Sequence, residues 1–413
     1  MVMRISSNII YNNGVGQLNT LQSQLQRAQL QLSTGRRVLT PADDPVASAR
    51  ALEISQSKEM NTQFVTNRTN ARSSMSLVDQ SLQNTDDLLQ DVKRLIVNAG
   101  NPALSQQDRL SLATELEGRL DDLLGQANAT DGTGGFLFSG YKLATQPFAK
   151  NSTGANYQGD QGARDLQVAT SRKLPISVSG SSIYEEILTG NGTFVTGATA
   201  GNQTRGGTGI ISPGSVVDQA ALTGHKYTID FTVVPATPGV PEVTTFTVND
   251  LTNGGQPLLN QPYKPGEPII FDGMQLDIKG KPADLDQFTV DPSTNQSMFT
   301  TMRNLITALS ASPSNPVADA ERTNQLNLAN QNMSNALDKV LSVRASVGSG
   351  LKELDHLDSA GDDLNIAYAQ QIGDLLDADP VETISRFTQL QTNLEAAQKS
   401  YKALTGLSLF NFI

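Results

Sequence analysis

The sequence predicts a mainly α protein: a long helical bundle or coiled coil built from both chain ends, with an inserted β-rich domain (α+β overall). Three observations carry this. Apolar residues recur at alternating three- and four-residue spacings at each end of the chain, the mark of helices with a narrow seam. Between about residues 146 and 290 that rhythm gives way to Gly, Thr, Pro and Val in period-two runs, which describe strands. The helical stretches on either side match in length, so the strand-rich part reads as an insertion.

Taken in order, the first helix carries Tyr11, Leu18, Leu21, Leu25, Ala28 and Leu32 along one seam. Its counterpart at the other end carries Phe387, Leu390, Leu394, Ala397, Tyr401 and Leu404, with Leu409 and Phe410 beyond. Each spans about 25 to 30 residues, roughly 40 Å of helix. One thin stripe does not hold an isolated helix in water, so the two ends are expected to meet each other or neighbouring molecules. A two-helix hairpin of this length leaves apolar surface uncovered. Leu18, Leu21, Leu25, Leu32, Phe387, Leu390, Leu394, Tyr401, Leu404, Leu409 and Phe410 are therefore the candidate subunit-interface residues.

Charge agrees with the pairing. Residues 1–42 hold Arg4, Arg27, Arg36 and Arg37 and no acid, whereas residues 362–413 hold seven acids against Arg386, Lys399 and Lys402. In an antiparallel pair, Arg36 and Arg37 come level with the acids from Asp374 to Glu382. Such surface pairs add only about 0–1 kcal/mol each. Their use is to choose direction and register.

Gly35, Pro41, Asp44 and Pro45 mark an inter-domain connection, with Asp44 as N-cap and Pro45 as first residue of the next helix. That helix runs from about 45 to 99 along Phe64, Ala71, Met75, Val78, Leu82, Thr85, Leu89, Val92 and Ile96, and Gly100-Asn-Pro102 ends it. Ser105 with Asp108 caps a third helix carrying Ala113, Leu116, Leu120, Leu123 and Ala127. The runs 226–234, 243–248 and 268–278 read as antiparallel strands. Helical rhythm returns at Met298, Met302, Leu305 and Leu309, and after Pro313 and Pro316 it continues from Leu326 to Leu354. The expected domains are 1–43 with 363–413 (terminal coiled coil), 44–145 with 291–362 (helical bundle), and 146–290 (β-rich).

Chemistry is sought and not found. Cysteine is absent, so no disulfide, zinc-thiolate site or thiol nucleophile is possible. The two histidines, His225 and His356, fall in different expected domains. The Gly-rich pieces at 131–135 and 206–209 lack the strand-to-helix setting and the Lys of a phosphate loop, and read as turns. Acid pairs such as Asp43/Asp44, Asp86/Asp87 and Asp121/Asp122 lack EF-hand spacing and read as caps and solvated faces. No enzyme, cofactor or metal is expected. A net charge of −11 argues against nucleic acid and an anionic membrane as partners. No run reaches the roughly 18 apolar residues that cross a bilayer. Without the apolar core of a cleavable signal, composition alone points to the cytosol.

Four segments carry a resemblance. Met3-Arg-Ile-Ser-Ser-Asn-Ile-Ile10, Leu32-Ser-Thr-Gly-Arg-Arg-Val-Leu-Thr-Pro-Ala-Asp-Asp-Pro-Val46, Gly135-Phe-Leu-Phe-Ser-Gly140 with Thr145-Gln-Pro-Phe148, and Tyr157-Gln-Gly-Asp160 resemble the bacterial flagellin superfamily. The ending Leu407-Ser-Leu-Phe-Asn-Phe-Ile413 is similar to that of its hook–filament junction branch, while flagellins usually finish their last helix differently. The likeness covers residues 1–160 and 297–413 and is loose between them; Met1-Val2 precede the family-like start at Met3.

The resemblance implies a structural part of the flagellum, a ring of subunits between hook and filament. It implies terminal helices in an inner layer around a channel, a second helical layer outside them, and the β-rich domain outermost. It also implies export without a cleaved signal peptide, through the flagellar type III apparatus, which replaces the cytosolic expectation with an extracellular one. The implied partners are further copies of the chain, hook-associated protein 1 on the hook side, flagellin on the filament side and an export chaperone before secretion. Three other readings stay open: the filament subunit itself, a hydrolase lodged in 150–290, and an adhesive or immune-recognised outer surface.

Overall fold

The computed structural model describes residues 7–238, 241–311 and 315–410, apart from the side chains of residues 7, 8, 10 and 404–410. Its helices are α1 (Ser7–Thr34), α2 (Pro45–Ala99), α3 (Gln106–Ala127), the short α4 (Gly180–Tyr184) and α5 (Asn202–Arg205), α6 (Met298–Ser310), α7 (Pro316–Leu376) and α8 (Pro380–Phe410). The strands are β1 (Phe148–Asn151), β2 (Gly154–Tyr157), β3 (Asp165–Ala169), β4 (Arg172–Pro175), β5 (Ile187–Leu188), β6 (Phe194–Ala198), β7 (Ile210–Ile211) and β8 (Ser215–Val216). They continue as β9 (Tyr227–Val234), β10 (Val243–Asp250), β11 (Leu258–Pro262), β12 (Pro268–Phe271), β13 (Met274–Lys279), β14 (Gln287–Pro292) and β15 (Asn295–Gln296). Long helices at both ends and strands between them make the α+β plan that the sequence predicts.

Local chemistry sets the helix starts. The Asp44 side chain accepts from the Ala47 amide at 3.0 Å, and Pro45 follows where a missing N–H leaves nothing unpaired. At α3 the cap is reciprocal: the Ser105 hydroxyl accepts from the Asp108 amide at 3.2 Å, and the Asp108 carboxylate accepts from the Ser105 amide at 3.0 Å. No break marks residue 362 or 363; α7 runs through them as a single 61-residue helix.

The chain divides into two compact units, residues 1–67 with 356–413 and residues 68–355, with α2 and α7 contributing to both. In the larger unit the helical core is made by Leu82 and Leu89 of α2, Leu116 and Leu120 of α3, Met302 and Leu305 of α6, and Met333 and Val340 of α7. Around it Arg344 of α7 pairs with Asp79 of α2 at 3.2 Å, and Arg303 of α6 pairs with Glu117 of α3 at 2.8 Å.

The strands of this unit are antiparallel throughout. A five-stranded sheet of order β11-β10-β9-β14-β6 faces β12-β13-β7, with β8 also on β13. Their inner faces share one core that includes Phe231, Phe246, Ile278 and Phe288. The period-two burial of β13, alternating along Met274–Lys279, is the alternation that marks a strand with one face on a core. Asparagines of α7 then seat this insertion. Asn332 accepts from the Gly190 amide at 2.9 Å, and Asn335 donates to the Leu188 and Gly190 carbonyls at 2.6 and 2.8 Å.

Candidate assembly surface

The candidate site is the pair of chain ends, within the smaller unit. Helices α1 and α8 pack on each other antiparallel. At one end the link is made by backbone. The Arg37 amide donates to the Leu376 carbonyl at 2.8 Å, and the Ala378 amide donates to the Gly35 carbonyl at 2.8 Å. Gly35, at φ +68°, takes the left-handed turn that ends α1 and aims the chain at this contact. At the far end, the rings of Tyr11 and Tyr401 lie 5.8 Å apart. Gly14 makes room for them: a Cβ there would stand 2.7 Å from the Tyr401 ring.

Between these ends lie the predicted interface residues. Leu18, Leu21, Leu25, Phe387, Leu390, Leu394 and Tyr401 are half-buried, and Leu32 is 40% exposed. The side chains of Leu404, Leu409 and Phe410 lie outside the described residues. Ala28 is the deepest described side chain of α1. Apolar residues off the seam remain open, among them Leu30, 55% exposed, Ile384, 51%, and Val381, 78%. The seam residues thus serve the α1–α8 pair first, and a separate set of apolar side chains faces outward.

Arg36 and Arg37 both come level with the 374–382 segment as expected, though the ion pair forms elsewhere. Arg36 meets Asp377, as an isolated backbone bridge. The Arg37 guanidinium, however, pairs with Asp44 at 3.2 Å and donates to the Leu375 carbonyl at 2.7 Å. A carboxylate seven residues away on the same loop is closer to hand than one across the pair. Asp43, expected only as a cap or solvated acid, organises that loop. Its carboxylate accepts from the Leu39 and Thr40 amides at 3.0 and 2.9 Å and pairs with Arg27.

Gly35, Pro41 and Asp44 all fall in this non-helical connection, and Pro45 opens α2. The Ala47 amide holds the Asp44 carboxyl below the usual carboxylate range; partial desolvation opposes it and Arg37 adds to it. That contribution is present at neutral pH and is lost as pH falls through the lowered value. Further along α2, Asn61 donates to the Gly361 carbonyl at 2.7 Å and to Asn365 at 2.9 Å, both on α7.

The arrangement offers surfaces for packing. Among the described residues no group of three or more His, Cys, Asp and Glu is placed to hold a metal ion. His225 sits in the β-sandwich beside Asp250, at 2.7 Å. No helix of the described residues is long and apolar enough to cross a membrane.

Paired terminal helices joined to a strand insertion are the architecture of a flagellin-like structural protein of the flagellum. Residues 5–143 match the bacterial flagellin N-terminal helical region. Over 413 residues, 99% of each chain, the sequence is 29% identical to flagellar hook-associated protein 3 of Escherichia coli K12. The crystal structure of the flagellar junction protein FlgL from Legionella pneumophila is 30% identical, with a TM-score of 0.71 over 79% of this chain and 100% of that one. A flagellin of Salmonella choleraesuis is 28% identical over 262 residues, 57% of this chain and 51% of the flagellin. The chain belongs to the flagellar hook-associated protein 3 family.

Proposed function

We propose that this chain is a structural adaptor subunit of the bacterial flagellum, forming the junction between the hook side and the flagellin filament. The observation that carries the reading is a likeness to hook-associated protein 3 along the whole chain, set against a flagellin match that covers about half of each chain. Copies of the subunit form a ring. Hook-associated protein 1 meets one axial face and flagellin the other, and an export chaperone holds the chain before secretion. The protein acts outside the cell and reaches that place without a cleaved signal peptide.

Residues 1–43 with 363–413 form the terminal coiled-coil domain, 44–145 with 291–362 the helical bundle domain, and 146–290 the β-rich domain. The Gly35–Pro45 connection turns the chain from the first domain to the second. The described seam residues from Leu18 to Leu25 and from Phe387 to Tyr401 are only half-buried by a single α1–α8 pair, and neighbouring copies complete the seam.

Deleting the gene tests the reading. Normal hooks without filaments, with flagellin released into the medium, is the expected result; filaments still anchored to hooks would overturn it. Purified protein on its own should not grow filaments.

Among its described residues the terminal pair has few fully buried side chains, so it should order on assembly and be open in the free monomer. Protease added to monomer is expected to trim both ends back to about Asp44 and Asp362. Ends that resist digestion in a verified monomer would count against this.

A further inference from the structure

Asp286 lies in the turn between β13 and β14 and is fully buried, with 0% of its surface exposed. Its carboxyl has one partner. Oδ2 accepts from the Ala283 amide at 2.8 Å, while Oδ1 is buried without a hydrogen bond. An ionised carboxylate in that position has given up its water for a single neutral donor, which is unfavourable.

Charged groups stand on the elements around it, and most are engaged elsewhere. On its own turn, Lys281 pairs with Glu242 at 2.9 Å, and Asp284 accepts from the Val233 amide at 2.9 Å. On β9, Asp230 accepts from Asn249 and Gln287 at 2.6 and 2.8 Å. On α7, Glu321 lines a small cleft with Gly207. Arg205, at the end of α5, is the cation that favours an ionised Asp286. Burial outweighs both the Ala283 amide and Arg205, and pushes the Asp286 carboxyl above its usual range.

The same carboxyl packs against Gly207, so closely that a Cβ there would overlap Oδ2. Gly207 belongs to the strap 206–211, which α7 grips: Asn324 accepts from the Ile211 amide at 3.0 Å and donates to the Gly209 carbonyl at 3.2 Å. A third bond runs from the Thr208 amide to the Lys281 carbonyl at 2.8 Å, tying the strap to the Asp286 turn.

We infer that Asp286 is a proton-holding latch that makes the seating of the 206–211 strap, between the β-sandwich turn and Asn324 of α7, sensitive to pH. With the proton on, the turn is dry and the strap lies closed. With the proton off, the charge draws the turn open toward water, and the strap loses its footing on one side.

The sign follows from linkage. A carboxyl raised above 3.8 when folded stabilises the closed state fully below that value, and the contribution is lost as pH rises through the folded value. Protection of the strap should fall by up to about tenfold per pH unit across that window and be level above it.

Hydrogen exchange of the Thr208 and Ile211 amides in the full chain, expressed as protection factors across the acid-to-alkaline range, reads this directly. The wild type should lose protection with rising pH, while Asp286→Asn stays level and ends better protected than wild type at alkaline pH. Parallel profiles for the two proteins would overturn the latch. Should the variant fold poorly, the carboxyl carbon resonance of Asp286 in the wild type decides: a midpoint above 3.8 supports the latch, and one at or below it removes it.

Discussion

Leu21→Asp or Leu394→Asp is expected to abolish filament attachment while the chain is still made, exported and folded in residues 68–355. Both leucines are half-buried in the α1–α8 pair, on opposite helices of it. Beyond the seam leucines, the Tyr11 and Tyr401 rings meet at one end of the pair. Ala28 is the deepest described side chain of α1, and the backbone bonds at Gly35 and Arg37 fix the other end. A carboxylate placed on the seam has to stay hydrated, so it keeps the helices apart and prevents a neighbour from completing the seam.

The larger unit has its own core, with Leu82, Leu89 and Leu116 at 0% exposure, and does not depend on Leu21 or Leu394. Thermal unfolding of purified variants should therefore retain the main transition, while electron microscopy of cells shows bare hooks and flagellin appears in the medium. Wild-type numbers of attached filaments would sink the seam as the assembly element. Leu30→Asp separates pairing from assembly, because Leu30 is 55% exposed and off the seam. Loss of filaments in Leu30→Asp with the terminal helices still paired would place a neighbour on the outward face.

What the sequence makes legible here is what short-range chemistry decides. Pro45 and Gly100 bracket α2, and Ser105 with Asp108 starts α3, because a cap or a breaker acts within four residues. That the two chain ends meet was also readable, since the seam runs the length of both helices and opposite charges gather at Arg36–Arg37 and at Asp374–Glu382. The ion pairs themselves were not. Arg37 turns to Asp44, a choice settled by the path of a loop whose shape no periodicity records.

Longer-range causes leave still weaker traces. Gly14 in a helix looks like a defect until Tyr401 is placed on it. Asn324, Asn332 and Asn335 resemble ordinary polar residues of α7, yet they bind backbone of the insertion more than a hundred residues away. Asp286 sits in a Pro-Ala-Asp-Leu-Asp turn of the kind that is usually solvated, and only the strap laid over it makes it buried. Strands of two residues, such as β5, β7, β8 and β15, are too short to alternate. The outward apolar set, including Val381 and Ile384, falls off the seam that the spacing predicts, but its exposure shows only with the partner helix in place.

Phe148→Ala should give the largest stability loss of any single truncation in the larger unit, and the reason also accounts for two of the family-like segments. Phe148 is fully buried, with its ring 5.2 Å from Tyr157, 5.5 Å from Tyr184 and 5.0 Å from Phe299. Phe138 joins the cluster 5.8 Å from Tyr184. The Phe-Leu-Phe segment, the Gln-Pro-Phe segment and Tyr157 therefore meet in one aromatic knot that ties the β1–β2 hairpin to α6.

Polar bonds hold the rim. Asn128 brackets Phe148 by accepting from its amide at 2.9 Å and donating to its carbonyl at 3.0 Å. The Tyr157 hydroxyl donates to the Asp160 carbonyl at 2.6 Å, with the Phe138 carbonyl 2.9 Å away. With its neighbours pinned this way, the site has little freedom to collapse around a missing ring. The expected cost is about 3–5 kcal/mol, near the upper end for a buried aromatic. For a unit of this size that corresponds to a melting temperature lower by on the order of 10 °C. Phe148→Leu refills part of the space and should recover about half of the loss. Gly180→Val approaches the knot from outside, since its Cβ would fall 2.8 Å from the Phe148 ring and 3.0 Å from the Phe138 carbonyl; it should destabilise by crowding where Phe148→Ala does so by a void. Differential scanning calorimetry distinguishes the outcomes: a Phe148→Ala transition within about 2 °C of wild type would mean that the hairpin and α6 are held together by something other than these rings.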